Sequence, residues 1–157
     1  MKKLVGILAV SVLFVLMACN NNCYVPTRAL LGVAFVDSAK LAPLTVQQIT
    51  IKGEGNDSLL YNASSQQTVF LPLHDSQSVT RFEVSFLRHK TDSVVTPYVL
   101  EVHHLPFPQL ISPECGCVMF HSIESAQLYN ATDTLEVEVY SKNVINVESD
   151  VHLKVYL

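Results

Sequence analysis

Residues 81–86 read RFEVSF, and this short run decides the fold class. Phe82, Val84 and Phe86 alternate with Arg81, Glu83 and Ser85. A two-residue period puts one set of side chains on a buried face and the other in water, which is the signature of a β-strand. The same period returns near the C-terminus. Leu135, Val137 and Val139 alternate with Glu136 and Glu138, and Val151, Leu153 and Val155 with His152 and Lys154. Further β-type runs cover 30–36, 46–52, 69–73, 94–103 and 118–123. Turn-forming clusters separate the runs: KGEGND at 52–57, HDSQS at 74–78, HKTD at 89–92 and SKN at 141–143. Short, evenly spaced strands of this kind predict an all-β fold, an antiparallel β-sandwich (immunoglobulin-like or an open barrel) of roughly 7–9 strands. The runs show no helical period, and the one place left open to a helix, a short one, is 122–128. Pro106 and Pro108 cannot donate ladder hydrogen bonds, so the stretch around them is expected to be a crossover or an edge.

The N-terminus carries an address. Lys2 and Lys3 precede an uncharged stretch from 4 to 18 that is short for a membrane span and has the charged start, apolar middle and small-residue end of a secretory signal peptide. Leu16-Met17-Ala18-Cys19 resembles a bacterial lipobox, in which the cysteine sulfur takes lipid and the chain is cut before it; an ordinary signal peptide is the alternative. The expected organisation is a signal peptide at 1–18, a lipidated Asn-rich tether at 19–27 and one domain at 28–157. Cleavage removes two of the 10 basic residues, leaving 8 against 14 acidic and a net charge of −6. With no basic run, a nucleic-acid partner is not expected.

The segment CGCVMFH, 115–121, holds the most suggestive chemistry. Cys115, Cys117 and His121 fall on one side of a strand, and sulfur with imidazole suits Cu(I) or Zn. Positions 115 and 121 lie about 20 Å apart along an extended chain, however, too far for one ion unless the segment folds back. Metal or thiol-redox binding by Cys115, Cys117 and His121 is therefore the alternative function, and no cofactor is assigned. His103 and His104 point to opposite faces, one to the surface and one partly buried. His74, His89 and His152 are expected in turns or on wet faces. The chain contains no nucleophile elbow, zincin, Walker A or dinucleotide fingerprint. KGEGND lacks the alternating ligands of a calcium loop, and Glu136 and Glu138 are expected to be solvated strand charge. The chain is expected not to be an enzyme.

The ordered set PTRALLGVAFVD, ITIKGEGNDS, VFLPLHDSQSVTRFEVSF, PECGC and DVHLKVYL resembles an uncharacterised family of small lipoproteins from Bacteroidetes, over nearly the whole chain past Cys19. Family members resemble it in an early and a late cysteine, which implies a Cys23–Cys115 disulfide. They usually carry an aromatic where Cys117 stands. The strand geometry alone leaves Cys117 as an alternative partner for Cys23. The resemblance implies an outer-membrane address, and display on the cell surface is associated with acidic residues after the lipidated cysteine. Asn20, Asn21 and Asn22 are uncharged, so the periplasmic face is expected.

Five of the six aspartates precede Ser or Thr, and the sequences at Ser38, Ser58, Ser93 and Thr134 resemble the acceptor motif for periplasmic O-glycosylation in that phylum. Asp-Ser pairs also start turns well. The function expected from all this is a non-catalytic interaction or accessory module, held to the membrane by lipid on Cys19 and partnered by another envelope or outer-membrane protein. A glycan-binding sandwich is a further alternative, with Tyr98, Phe107 and Tyr129 as its aromatic platforms.

Overall fold

The computed structural model describes residues 29–87, 95–113, 116–145 and 150–157, and these form strands and turns with no helix among them. In chain order the strands are β1 (Leu30–Asp37), β2 (Ala42–Pro43), β3 (Val46–Gly53), β4 (Leu59–Gln66), β5 (Thr68–Pro72), β6 (Val79–Leu87), β7 (Thr96–Ser112), β8 (Gly116–Tyr129), β9 (Thr134–Leu135), β10 (Val137–Val139), β11 (Asn143–Val144) and β12 (Leu153–Tyr156). Eight of the described strands have four or more residues; the others are two- or three-residue pairings at sheet margins.

Two sheets result. The smaller has the order β10-β12-β1-β2 with β5 also on β1, and the larger has the order β11-β8-β7-β6-β3-β4 with β9 also on β8. All pairings are antiparallel except β1 with β12, which run parallel. The fold is a β-sandwich, as the alternating runs predict. Phe82, Val84 and Phe86 are buried and face Leu31, Val33 and Phe35 across the core. Phe86 stacks on Tyr98 at 5.3 Å between ring centroids.

The chain changes sheets twice within a residue. Gln67 alone separates β4 in the larger sheet from β5 in the smaller, and Glu136 alone separates β9 from β10. The run 135–139 is thus two strands: Leu135 pairs with β8 while Val137 and Val139 pair with β12. Its alternation survives because both pieces keep facing the shared core. The stretch 122–128, left open to a short helix, is the second half of β8, where pairing with β7 outweighs local preference. β4 escaped the pattern because it is a mostly exposed edge. Its register against β3 shifts three times, with Gln48 at φ 51° and Ala63 at φ 42° in the left-handed region.

Gly32 is needed where it stands, since a Cβ there would run into the Asp150 carbonyl oxygen. His152 locks onto the same residue. Its N–H donates to the Gly32 carbonyl at 2.8 Å, and its Nδ1 accepts the Gly32 N–H at 2.9 Å. His152 is buried, which corrects the expectation of a wet-face histidine: the residue fills the core beside β1 and replaces a main-chain ladder partner with a ring nitrogen.

Candidate functional site

The connection between β5 and β6, residues 73–78, separates two clefts at one end of the sandwich. One, of about 400 Å³, is lined by Ala29, Leu73, His74, Asp75, Ser76 and Met119. The other, of about 390 Å³, includes Glu54, Asn56, His74, Gln77, Thr80 and Arg81. Beneath the connection lie two fully buried imidazoles, His104 of β7 and His121 of β8.

A β-bulge brings these histidines together. In the β7–β8 ladder His103 faces Ser125 and His104 faces Ile123, so Glu124 is an extra residue on β8. The extra residue reverses which positions face inward. On the C-terminal side Leu128 is buried, and beyond Glu124 the buried positions become Ile123 and His121. Without the bulge, His121 would sit on the outer face.

The hydrogen bonds assign their own protons. The His74 N–H donates to Thr80 Oγ1 at 3.0 Å, and the same oxygen meets His104 Nε2 at 2.8 Å, where the Thr80 hydroxyl donates because the carboxylate of Asp75 at the far end of the chain only accepts. With Nε2 accepting, the His104 proton sits on Nδ1 and is given to His121 Nδ1 at 3.2 Å. The His121 proton is then on Nε2, facing Asp75 Oδ1 at a long 3.5 Å. Asp75 is open to water, with its side chain 68% exposed, and a carboxylate there only accepts. Polarity is therefore consistent along the whole chain Thr80–His104–His121–Asp75.

Burial holds both rings neutral. It pushes His104 down to about 4, helped by the neighbouring His121, His74 and His103, with Asp75 opposing. Burial lowers His121 as well, and Asp75 offsets part of that. His152 is lowered by burial, against the pull of Asp150 and the Asn143 main chain, and its Nε2 has no partner in full hydrogen-bond geometry.

Outside the cleft, His103 bonds Glu101 Oε1 at 2.8 Å, and Arg81 and Tyr129 bond Glu101 Oε2. The two adjacent histidines thus divide as expected, one at the surface and one inside.

Cys117 is a free, exposed cysteine, and His121 lies four positions along the same strand, about 13 Å away at strand spacing. The structure does not bring these two together. Among the described residues no three His, Cys, Asp or Glu side chains converge as a metal site requires. Cys19, Cys23, Cys115, His89 and Ser93 lie outside the described residues.

Ser38, Ser58 and Thr134 are exposed. Asp37 Oδ1 accepts from the Ala39 and Lys40 N–H groups, the turn-starting role that Asp-Ser pairs commonly play. Tyr98 is not a platform, because it is buried against Phe86 in the core. Phe107 packs edge-on to Phe120 at 6.1 Å, and Tyr129 is half-buried. Asp75 and Thr80 were missed from sequence. Asp75 reads as a turn residue and Thr80 as an ordinary strand residue, and only the bulge and the β5–β6 connection place them on the histidines.

Fold and clefts together define a two-sheet β-sandwich with two depressions at one end, divided by the β5–β6 connection that covers the buried His104–His121 pair. The chain belongs to the family of unknown function DUF6452, whose model matches residues 48–157. No curated protein and no solved structure matches it.

Proposed function

We propose that the chain is a lipid-anchored, non-catalytic accessory module of the cell envelope, held at the periplasmic face of the outer membrane by Cys19 and bound to another envelope protein. The observation that carries this is Leu16-Met17-Ala18-Cys19 behind Lys2-Lys3 and an uncharged core. The histidine chain supports binding over catalysis. Three of the four ring nitrogens of His104 and His121 are committed to Thr80 or to each other, and the fourth is turned to Asp75. Both rings are closed off from the clefts, with His104 0% and His121 1% exposed, so neither meets a bound molecule directly.

The test is metabolic labelling with an alkyne-bearing palmitate in the native cells. The expected result is label on the parent chain, and a Cys19→Ala variant that loses both label and membrane association. A parent chain found unlabelled in the soluble fraction overturns the reading. Within this module Cys23 and Cys115 form a disulfide suited to an oxidising compartment, leaving exposed Cys117 as the free thiol. Thiol titration of the oxidised, acylated chain is expected to count one, and a count of three removes the disulfide.

A further inference from the structure

The outer part of the β7–β8 hairpin breaks the rule that made the rest of the sandwich legible. Along 96–103, β7 alternates: Tyr98, Leu100 and Val102 are buried, while Glu101 and His103 carry the polar contacts of the outer face. From Leu105 to Leu110 neither side carries a charge, and Gln109 is the one polar side chain of β7 there. One side carries Leu105, Phe107 and Gln109 opposite Ser122, Phe120 and Val118, and the other carries Pro108 and Leu110 opposite Met119 and Cys117. Leu105 is 51% and Leu110 59% exposed. The sequence 105–120, LPFPQLISPECGCVMF, holds no Lys or Arg and one Glu. A strand pair uncharged and mostly apolar on both sides, with exposed leucines on each, is not built for water alone.

What it is built for follows from where the chain enters the domain. Ala29, at the start of the described domain, lines the same cleft as Met119 of the hairpin. Cys19 lies ten positions before Ala29, a length of chain that reaches at most about 36 Å. The hairpin therefore stands at the entry point of a short tether, on the end of the sandwich nearest any anchor at Cys19.

We infer that residues 105–112 and 116–120 form an apolar finger that seats in the interfacial region of the bilayer to which Cys19 is anchored. The occupant of this surface is lipid, reached without basic residues and so by apolar burial, not by attraction to anionic headgroups. The finger adds a second, non-covalent membrane contact to the lipid on Cys19. It also fixes the orientation of the clefts beside His74, placing them close to the membrane surface. This inference rests on the lipid-anchor reading above.

The chain contains no tryptophan, so each single Trp variant carries one reporter. The acylated full chain is reconstituted into phosphatidylethanolamine–phosphatidylglycerol vesicles containing bromine-labelled acyl chains. Leu110→Trp and Leu105→Trp probe the finger, and both sites are exposed enough to accept the larger ring. Ala131→Trp probes the exposed turn at the opposite end of β8. The expected result is a blue-shifted emission quenched several-fold at 110 and 105, with Ala131→Trp unquenched. Equal quenching at both ends, or no quenching at 110 and 105 in a chain that floats with the vesicles, overturns the finger and leaves the anchor standing. A blue-shifted, unquenched signal accompanied by cross-linked dimers overturns it in favour of a second copy of the chain. A chain that fails to float with vesicles overturns the anchor and the finger together.

Discussion

Over its inner half the β7–β8 pair is held on both flanks, by β6 along Thr96–His103 and by β9 at Leu128 and Tyr129, whereas beyond His104 no β6 residue pairs with β7 and only the two residues of β11 reach β8. The inner half alternates apolar and polar side chains and is clamped between sheets. The outer half of β7, from Leu105 to Leu110, carries no charge on either side, and Gln109 is its one polar side chain. Between them lie the Glu124 bulge and the buried His104–His121 pair. Alternation is thus a statement about environment more than about strand formation: both halves are strands, and only the one with a core on one side and water on the other shows the two-residue period.

The largest expected effect comes from disrupting the joint between the halves. Ile123, 1% exposed, is the first position that the bulge turns inward, and Ile123→Asp puts a carboxylate where that facing leaves no water. The expected loss is about 4 kcal/mol or more, read by urea unfolding. Retention of parental stability would show that the bulge does not set the facing of β8.

Next in size is a matched truncation in each half. Leu100, 2% exposed, faces Leu128 in the inner half, and Leu100→Ala is expected to cost about 3–4 kcal/mol through lost burial and a cavity. Leu105→Ala in the outer half is expected to change stability by under about 0.5 kcal/mol without a membrane present. Similar costs at both sites would mean that the outer half is packed like the inner one.

A third test uses pH on the histidines at the joint. His104 is held down to about 4 when folded and titrates near its ordinary value of 6.5 when unfolded. Between these values the unfolded chain binds the extra proton, so stability rises with pH across the window and falls as the solution is acidified. The contribution of His104 is fully present above about pH 6.5, and about 3 kcal/mol is lost by pH 4. His121 and His152 are shifted in the same direction and add to the loss. Unfolding free energies that stay flat from pH 7 to 4.5 would contradict neutral burial of these rings.

The same contrast explains how far the sequence could be read. The sandwich was legible because RFEVSF and the runs like it face one core and one solvent. Residues 116–121 of the CGCVMFH segment lie on a strand as expected, with Cys117 and His121 on a shared side. What failed was the step from sharing a side to sharing a site. A long strand passes from core to exposed hairpin within four residues, so Cys117 is exposed while His121 is buried. The partners that His121 does have, His104 and Asp75, depend on a one-residue bulge and a loop between two sheets, and neither leaves a periodic trace. His152 misled for a related reason: its alternation with Val151 and Leu153 suggested water, but its ring stands in for a strand at Gly32.

The smallest change in stability, and the sharpest test of the outer half, concerns its open edge. The His104 N–H points toward the β6 side, where it bonds the Ser78 carbonyl at 2.9 Å. Strand geometry gives positions 106 and 108 the same orientation, away from β8. Both are proline, so the edge that β6 leaves uncovered lacks two of the donors another strand would need. Pro106 and Pro108 thereby close to strand addition a surface that its side chains leave apolar, which keeps it available to lipid and not to another sheet. Pro106→Thr with Pro108→Thr restores the two N–H groups while lowering apolar character. The double variant is expected to change unfolding free energy by under about 0.5 kcal/mol yet to associate more tightly than the parent in sedimentation equilibrium. The direction is informative because the substitution makes the side chains less sticky, so hydrophobic contact alone predicts weaker association. Association no tighter than the parent's would remove the edge-guarding role and leave apolar side chains as the only difference between the two halves.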